Sequence, residues 1–173
     1  MLVRSALSQL LGRNEHHRFE HLCTALARQR ITPNIVAGTG PVSSGGDQGR
    51  DFETFIGHVP GRVRDLGARL GIENGDTIVF CCTLGRTDLA GKIRRDIARA
   101  VSLGSAVDAV VYFAEPDIPT ATRHQLIQEA DDLHHVRLEI LDGQTLTGLL
   151  RERDTFWIAV EFLDIPVSTA SEN

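Results

Sequence analysis

The sequence predicts an α/β domain with a mixed central sheet and helices on both of its faces. An amphipathic helix is followed by three strand-like segments, a second helix and a strand, and the chain then continues as helix, strand and helix. Strands that alternate with helices are typical of layered α/β folds. The length of 173 residues suits one core, so we expect a single domain over residues 1–166 and a tail or linker start over residues 167–173.

The first helix is predicted over residues 14–29. Asn14 is its expected N-cap, and Phe19, Leu22 and Leu26 recur at helical spacing behind it. Glu20 lies on the flank of this apolar stripe.

The other elements follow from apolar runs, alternation and turn residues. Residues 77–85 (TIVFCCTLG) form a nearly continuous apolar run, which predicts a buried strand. The helix after it is capped by Thr87 or Asp88 and presents an apolar stripe of Leu89, Ile93, Ile97 and Val101. The remaining predicted elements are an apolar stretch at 34–38, a loop at 39–49, a strand at 51–57, a helical or irregular segment at 59–76, a strand at 106–114, a helix at 119–133, a strand at 136–141, a helix at 143–153 and an apolar segment at 156–166.

The charged residues are unusual in type and in distribution. The 18 basic residues are 17 arginines and one lysine, Lys92. Lys92 follows Gly91 but is followed by Ile93, where a phosphate-binding loop needs Ser or Thr, so that kind of nucleotide site is excluded. The net charge of −5 argues against indiscriminate coating of nucleic acid. Because residues 1–107 carry net +4 and residues 108–173 carry net −9, a phosphate-facing surface is expected in the first part.

The cysteines and apolar runs bear on the compartment. Cys23, Cys81 and Cys82 include an adjacent pair and no Cys-x-x-Cys spacing, which favours a reducing compartment and argues against structural zinc. No apolar run approaches the roughly 18 residues of a membrane helix, and the N-terminal run is too short for a signal peptide. We therefore expect a cytoplasmic protein with no membrane partner.

The strongest motif is GGDQGRD at residues 45–51, which enters a predicted strand and lies between Glu20 on the first helix and the later apolar strand. In these features residues 14–115 resemble the PD-(D/E)xK nuclease superfamily, and within it the Mrr-like restriction endonucleases. The resemblance implies a restriction-endonuclease-like α/β/α sandwich that cleaves double-stranded DNA with Mg²⁺ or Mn²⁺. It also implies fusion to or association with a regulatory or NTPase module, as in bacterial anti-phage proteins, and cleavage by a homo-oligomer.

Three carboxylates are the candidate metal ligands. The resemblance places Asp51 at the entry to the hairpin and Glu20 on the helix. Glu53 lies two residues beyond Asp51 on the same strand face and is a substitute for an acid missing from the third motif. Carboxylate oxygens suit a hard divalent cation, which activates water and neutralises charge as the phosphodiester is attacked.

The candidate catalytic residues are Asp51, Glu53 and Lys92, and Lys92 is the cation among them. The family's third motif has an acid or glutamine, any residue and then lysine, and the matching positions here are Cys81, Cys82 and Thr83. Thiols are poor magnesium ligands and threonine carries no charge. Lys92, in the first turns of the next helix, is therefore the candidate replacement; the alternative is that it pairs with Asp96 at i,i+4 on the surface.

The candidate DNA contacts are Arg86, Arg94, Arg95 and Gln48. Cations are dense over residues 86–99 and can meet phosphates, although solvation is the alternative role of a charged helix face. Gln48 lies in the glycine-rich loop, where shaping the turn is the alternative. The chain has one Trp and one Tyr, so the duplex backbone is the expected target and base stacking is not.

Two other functions stay open. If neither Glu53 nor Lys92 restores the motif, the domain is a catalytically degenerate nuclease fold that binds nucleic acid or another protein. His17, Glu20 and His21 also match the H-x-x-E-H pattern, in which two histidines bind zinc and the glutamate acts as a general base.

Overall fold

The computed structural model describes residues 2–37, 52–54, 64–73, 75–102 and 106–166. The elements in these ranges are α1 (Leu2–Gly12), α2 (His16–Arg30), β1 (Ile35–Ala37), β2 (Phe52–Thr54), α3 (Asp65–Arg69), β3 (Ile78–Thr83), α4 (Leu89–Ser102), β4 (Ala109–Ala114), α5 (Thr120–His134), β5 (Arg137–Leu141), α6 (Gly143–Leu150) and α7 (Phe156–Leu163). None of the helices in these ranges is long and apolar enough to cross a membrane.

The five strands form one mixed sheet in the order β1-β2-β3-β4-β5. β2 is antiparallel to both β1 and β3, whereas β3, β4 and β5 are mutually parallel. The parallel connections run through α4 and α5, as expected for crossovers that must return the chain to the same end of the sheet.

Each face of the sheet has its own core. Phe80 and Phe113 point to the face covered by α1, α2, α6 and α7. Cys81 and Tyr112, one residue out of step with them along their strands, point to the face covered by α4 and α5. This alternation follows from the two-residue period of a strand. The mixed sheet with helices on both faces confirms the predicted α/β class.

The region around Asn14 differs from the prediction. Asn14 adopts a left-handed backbone conformation with φ 57° in the turn between α1 and α2, and α2 begins at His16 after Glu15. The prediction that Asn14 caps the helix was therefore wrong. The turn occurs here because α1, a helix that was not predicted, ends at Gly12 and only three residues separate it from α2.

The predicted apolar run and stripe of the central region are confirmed. Along β3 every residue except the half-buried Cys82 is buried. On α4, Ile93 and Ile97 are buried, and Leu89 and Val101 pack at the margin of the same core. The final apolar segment forms α7, which buries Ile158 and Ala159.

Candidate active site

The candidate site surrounds the end of β3 and the start of α4. β3 is flanked by β2 on one side, where Phe52 pairs with Phe80 and Glu53 with Val79, and by β4 on the other. Loops and helix starts at the carboxyl ends of parallel strands commonly carry the functional groups of open α/β sheets.

Lys92 is anchored to the sheet through two further residues. Its Nζ donates to Asp96 Oδ2 at 2.7 Å, one turn along α4, and the Tyr112 hydroxyl on β4 donates to the same oxygen at 2.6 Å. Tyr112 is fully buried, whereas the Lys92 side chain is 39% exposed. The i,i+4 pair that the sequence offered as the alternative role of Lys92 is therefore present, and its carboxylate also accepts a hydrogen bond from β4.

Tyr112, the last residue of this hydrogen-bonded group, lies on the strand next to the three residues that match the third motif. Tyr112 is the register partner of Cys81, and both side chains belong to the core under α4. Thr83 is buried, and its Oγ1 accepts a hydrogen bond from the Gly85 amide at 3.1 Å. At the positions that match the third motif, β3 thus carries two thiols and a hydroxyl that is hydrogen-bonded in a turn. The only ammonium side chain of the protein, that of Lys92, is on α4.

Glu20 and Lys92 are not brought together. Glu20 lies on α2, which packs against the opposite face of the sheet from α4. The exposed imidazole of His17 lies near it, with Nδ1 3.7 Å from Glu20 Oε2. Asp51 and Gln48 lie outside the described residues, and Glu53 is placed by its backbone register opposite Val79.

The described residues do not complete a metal site on their own. Within the ranges that the structure covers, no group of three or more His, Cys, Asp or Glu side chains is arranged to hold an ion. On α2, His17 is 96% exposed and His21 is exposed as well. The H-x-x-E-H spacing is therefore present on α2, but among the described residues no third zinc ligand joins the two histidines.

Arg94 and Arg95 are held by surface carboxylates. Arg94 Nε donates to Glu129 on α5 at 2.6 Å, and Arg95 Nη1 donates to Asp88 at 3.0 Å. The bond from Arg94 lowers the pKa of the Glu129 carboxyl below its ordinary value. Exposed pairs of this kind contribute little to stability, so either arginine can exchange its carboxylate for a phosphate at small cost.

A buried carboxylate next to this site was not predicted from the sequence. Glu115, directly after β4, is completely buried and accepts hydrogen bonds from Arg4 and Ser8 of α1 and from Arg86 after β3. The available signal was an acidic residue immediately after a strand made entirely of apolar and aromatic residues, at the carboxyl end of a parallel strand.

Comparisons with protein-family models, with curated proteins and with solved structures return no match to this chain.

Proposed function

We propose that this chain is a metal-dependent endonuclease that hydrolyses phosphodiester bonds of double-stranded DNA. The observation that carries the proposal is the placement of Lys92. Through Asp96 and Tyr112, the only ammonium side chain of the protein is tied to β4, the strand next to β3, and Tyr112 is the register partner of Cys81, one of the three residues that match the third motif.

The order and direction of the elements support the same proposal. α2, β1, β2, β3, α4 and β4 occur in the order that the resemblance implies, with the short helix α3 inserted between β2 and β3. β2 is antiparallel to β3, and β3 is parallel to β4. In this arrangement β2, which carries Glu53 and directly follows Asp51, is the immediate neighbour of β3, whose Cys81, Cys82 and Thr83 match the third motif.

Each residue has a distinct role in the proposal. Asp51 and Glu53 are the carboxylates assigned to Mg²⁺ or Mn²⁺, which when bound supplies activation of water and charge neutralisation. An ammonium group has three N–H donors, and the bond to Asp96 uses one of them. Lys92 is thereby oriented while it keeps donors for a phosphate oxygen or the attacking water.

A second candidate is a catalytically degenerate nuclease fold that binds nucleic acid or another protein. The observations that favour it are the uncharged side chains of Cys81, Cys82 and Thr83 and the placement of Glu20 in the layer opposite Lys92. This candidate predicts duplex binding, or binding to a protein, without cleavage.

Plasmid cleavage with Mg²⁺ or Mn²⁺ tests the two candidates. The wild type is expected to nick or linearise the plasmid, and Asp51→Ala and Lys92→Ala are expected to lose at least about 100-fold in rate, as for removal of a group that stabilises transition-state charge. Lys92→Arg is not expected to restore the rate, because a planar guanidinium does not replace a compact ammonium.

Asp132→Ala, which removes an exposed carboxylate from α5, is the matched control and should cleave like the wild type. A wild type that binds duplex but never cleaves it supports the degenerate fold. Cleavage by Asp51→Ala at the wild-type rate would overturn the assignment of the active site.

A further inference from the structure

Glu115 is a charged side chain with no exposed surface. Its Oε1 accepts from Arg4 Nη1 at 3.0 Å and from Ser8 Oγ at 2.8 Å, and its Oε2 accepts from Arg86 Nη2 at 3.0 Å and Nε at 3.3 Å. A buried carboxylate is costly unless its oxygens are paired, and here both oxygens are. The Glu115 side chain is therefore a rigid acceptor.

The two arginines around Glu115 differ in their surroundings. Arg4 also bonds the Glu115 backbone carbonyl at 2.9 Å and lies 3.3 Å from Asp117, so it is tied to the end of β4 at three points. Arg86 meets Glu115 side-on through Nε and Nη2, and 54% of its side chain stays exposed. A guanidinium has five N–H donors, so the side-on contact leaves Arg86 with donors for a second anion.

Arg86 lies at the same end of β3 as the candidate active site. It belongs to the segment between β3 and α4, and Lys92 is in the first turns of α4. The Glu115 amide donates to the Thr83 carbonyl at 3.0 Å, which ties the ends of β3 and β4 together. Glu115 is thus fixed by the sheet, and Arg86 is fixed by Glu115.

We infer that Glu115 is a positioning residue that holds Arg86 in place to bind a phosphate of the DNA backbone. Arg4 and Ser8 connect α1 to the same carboxylate, because both donate to its Oε1, which Arg86 Nη2 also reaches at 3.3 Å. An arginine already held in one conformation loses less entropy when it binds, so positioning raises affinity. The inference rests on the proposed function, since it names how that site meets its substrate.

Duplex binding at increasing KCl, followed by fluorescence anisotropy with Ca²⁺ in place of Mg²⁺, tests the inference. Arg86→Ala should reduce the slope of log Kobs against log salt by about 0.9, the value for one phosphate contact. Glu115→Gln should weaken binding as Arg86→Ala does, and the double variant should bind no more weakly than Arg86→Ala alone, because both changes remove one contact.

Arg86→Lys covers the case in which Glu115→Gln fails to fold, since it changes a largely exposed side chain and keeps its charge. It should bind the duplex several-fold more weakly than the wild type, because an ammonium cannot make the side-on contact with two nitrogens. Arg153→Ala, at an exposed arginine between α6 and α7, is the control and should keep the wild-type affinity.

A wild-type slope in Arg86→Ala, or wild-type affinity in Arg86→Lys, overturns the inference. If the Arg86 variants give these results and the wild type still cleaves plasmid, the inference about Glu115 and Arg86 fails and the endonuclease proposal is unaffected. A wild type that neither binds duplex nor cleaves it overturns both.

Discussion

The Tyr112 hydroxyl donates a 2.6 Å hydrogen bond to the carboxylate of Asp96 and so joins β4 to α4. Tyr112 is the only tyrosine in the chain and is fully buried on β4. Because the same Asp96 oxygen accepts from Lys92, the position of the lone lysine depends on a side chain in the core.

Removing that hydroxyl should be costly. Tyr112→Phe is expected to lower the free energy of unfolding by about 1.5 to 3 kcal/mol, the usual range for a hydrogen bond to a charged group. Urea unfolding followed by far-UV circular dichroism measures the change. In an Asp96→Ala background the same substitution should cost much less, because its partner is already absent; equal costs in both backgrounds would show that the bond contributes nothing.

Gly143 is predicted to be intolerant of any side chain. A Cβ at this position would lie 2.1 Å from the Glu115 carbonyl oxygen and 2.1 Å from Arg4 Nη1, and a backbone oxygen cannot move aside cheaply. Gly143→Ala is therefore expected to destabilise the protein by about 1 to 3 kcal/mol through overpacking.

Gly148, on the same helix, is the matched control because a Cβ there would meet no atom within 4 Å. Gly148→Ala should stabilise the protein by up to about 1 kcal/mol, since alanine favours a helix interior over glycine. Thermal unfolding of the two variants should shift in opposite directions, and a shift in the same direction would contradict the close packing at Gly143.

Asp142 should make the free energy of unfolding decrease as the pH falls into the acid range. Burial alone raises the pKa of this carboxyl, but hydrogen bonds from the amide and hydroxyl of Thr145 and the amide of Ile118, with the charge of Arg123, outweigh it and hold the pKa below its ordinary value of 3.8. A lowered folded-state pKa contributes stability that is present above the unfolded value and is lost as the pH falls through the folded one.

Asp142→Asn tests this dependence, because asparagine still caps α6 but does not titrate. Urea unfolding from neutral pH to below pH 3.8 should show a smaller loss of stability for Asp142→Asn than for the wild type. Asp132→Asn, at an exposed position, should follow the wild-type curve; identical curves for all three proteins would contradict the prediction.

Glu139 should act in the opposite direction. Partial burial on β5 raises the pKa of its carboxyl above the ordinary value of 4.5, although Arg123 and Arg137 oppose the shift. The wild type therefore loses stability as the pH rises from 4.5 through the folded-state pKa. Glu139→Gln is expected to gain stability relative to the wild type at neutral pH but not below pH 4.5, as measured by chemical unfolding at both pH values.

Elements with a strong local pattern were predictable from sequence. The continuous apolar run of β3 marks a strand that is buried on both faces, and the stripe of α4 marks one buried helix face with the helical period. α1 was missed, although Val3, Leu7 and Leu10 have helical spacing. A helix of 11 residues has little stability alone, and its packing against α6 and α7 is what stabilises it.

In the candidate site, some contacts follow from the spacing of residues in the sequence, and others depend on how the helices pack on the sheet. The pairing of Lys92 with Asp96 follows from helical spacing, because residues four apart lie on the same side of a helix. The bond from Tyr112 to Asp96, and the layer that separates Glu20 from Lys92, depend on which helix covers which face of the sheet.

Glu115 shows the physical reason for this division. Its partners Arg4 and Arg86 lie 111 and 29 residues away along the chain, on α1 and after β3. A buried carboxylate must find its donors wherever strand order and layer packing bring them. Hydrophobic periodicity carries information about the burial of one element at a time, so it identified the strands and helices of this domain but not the charged groups that meet between them.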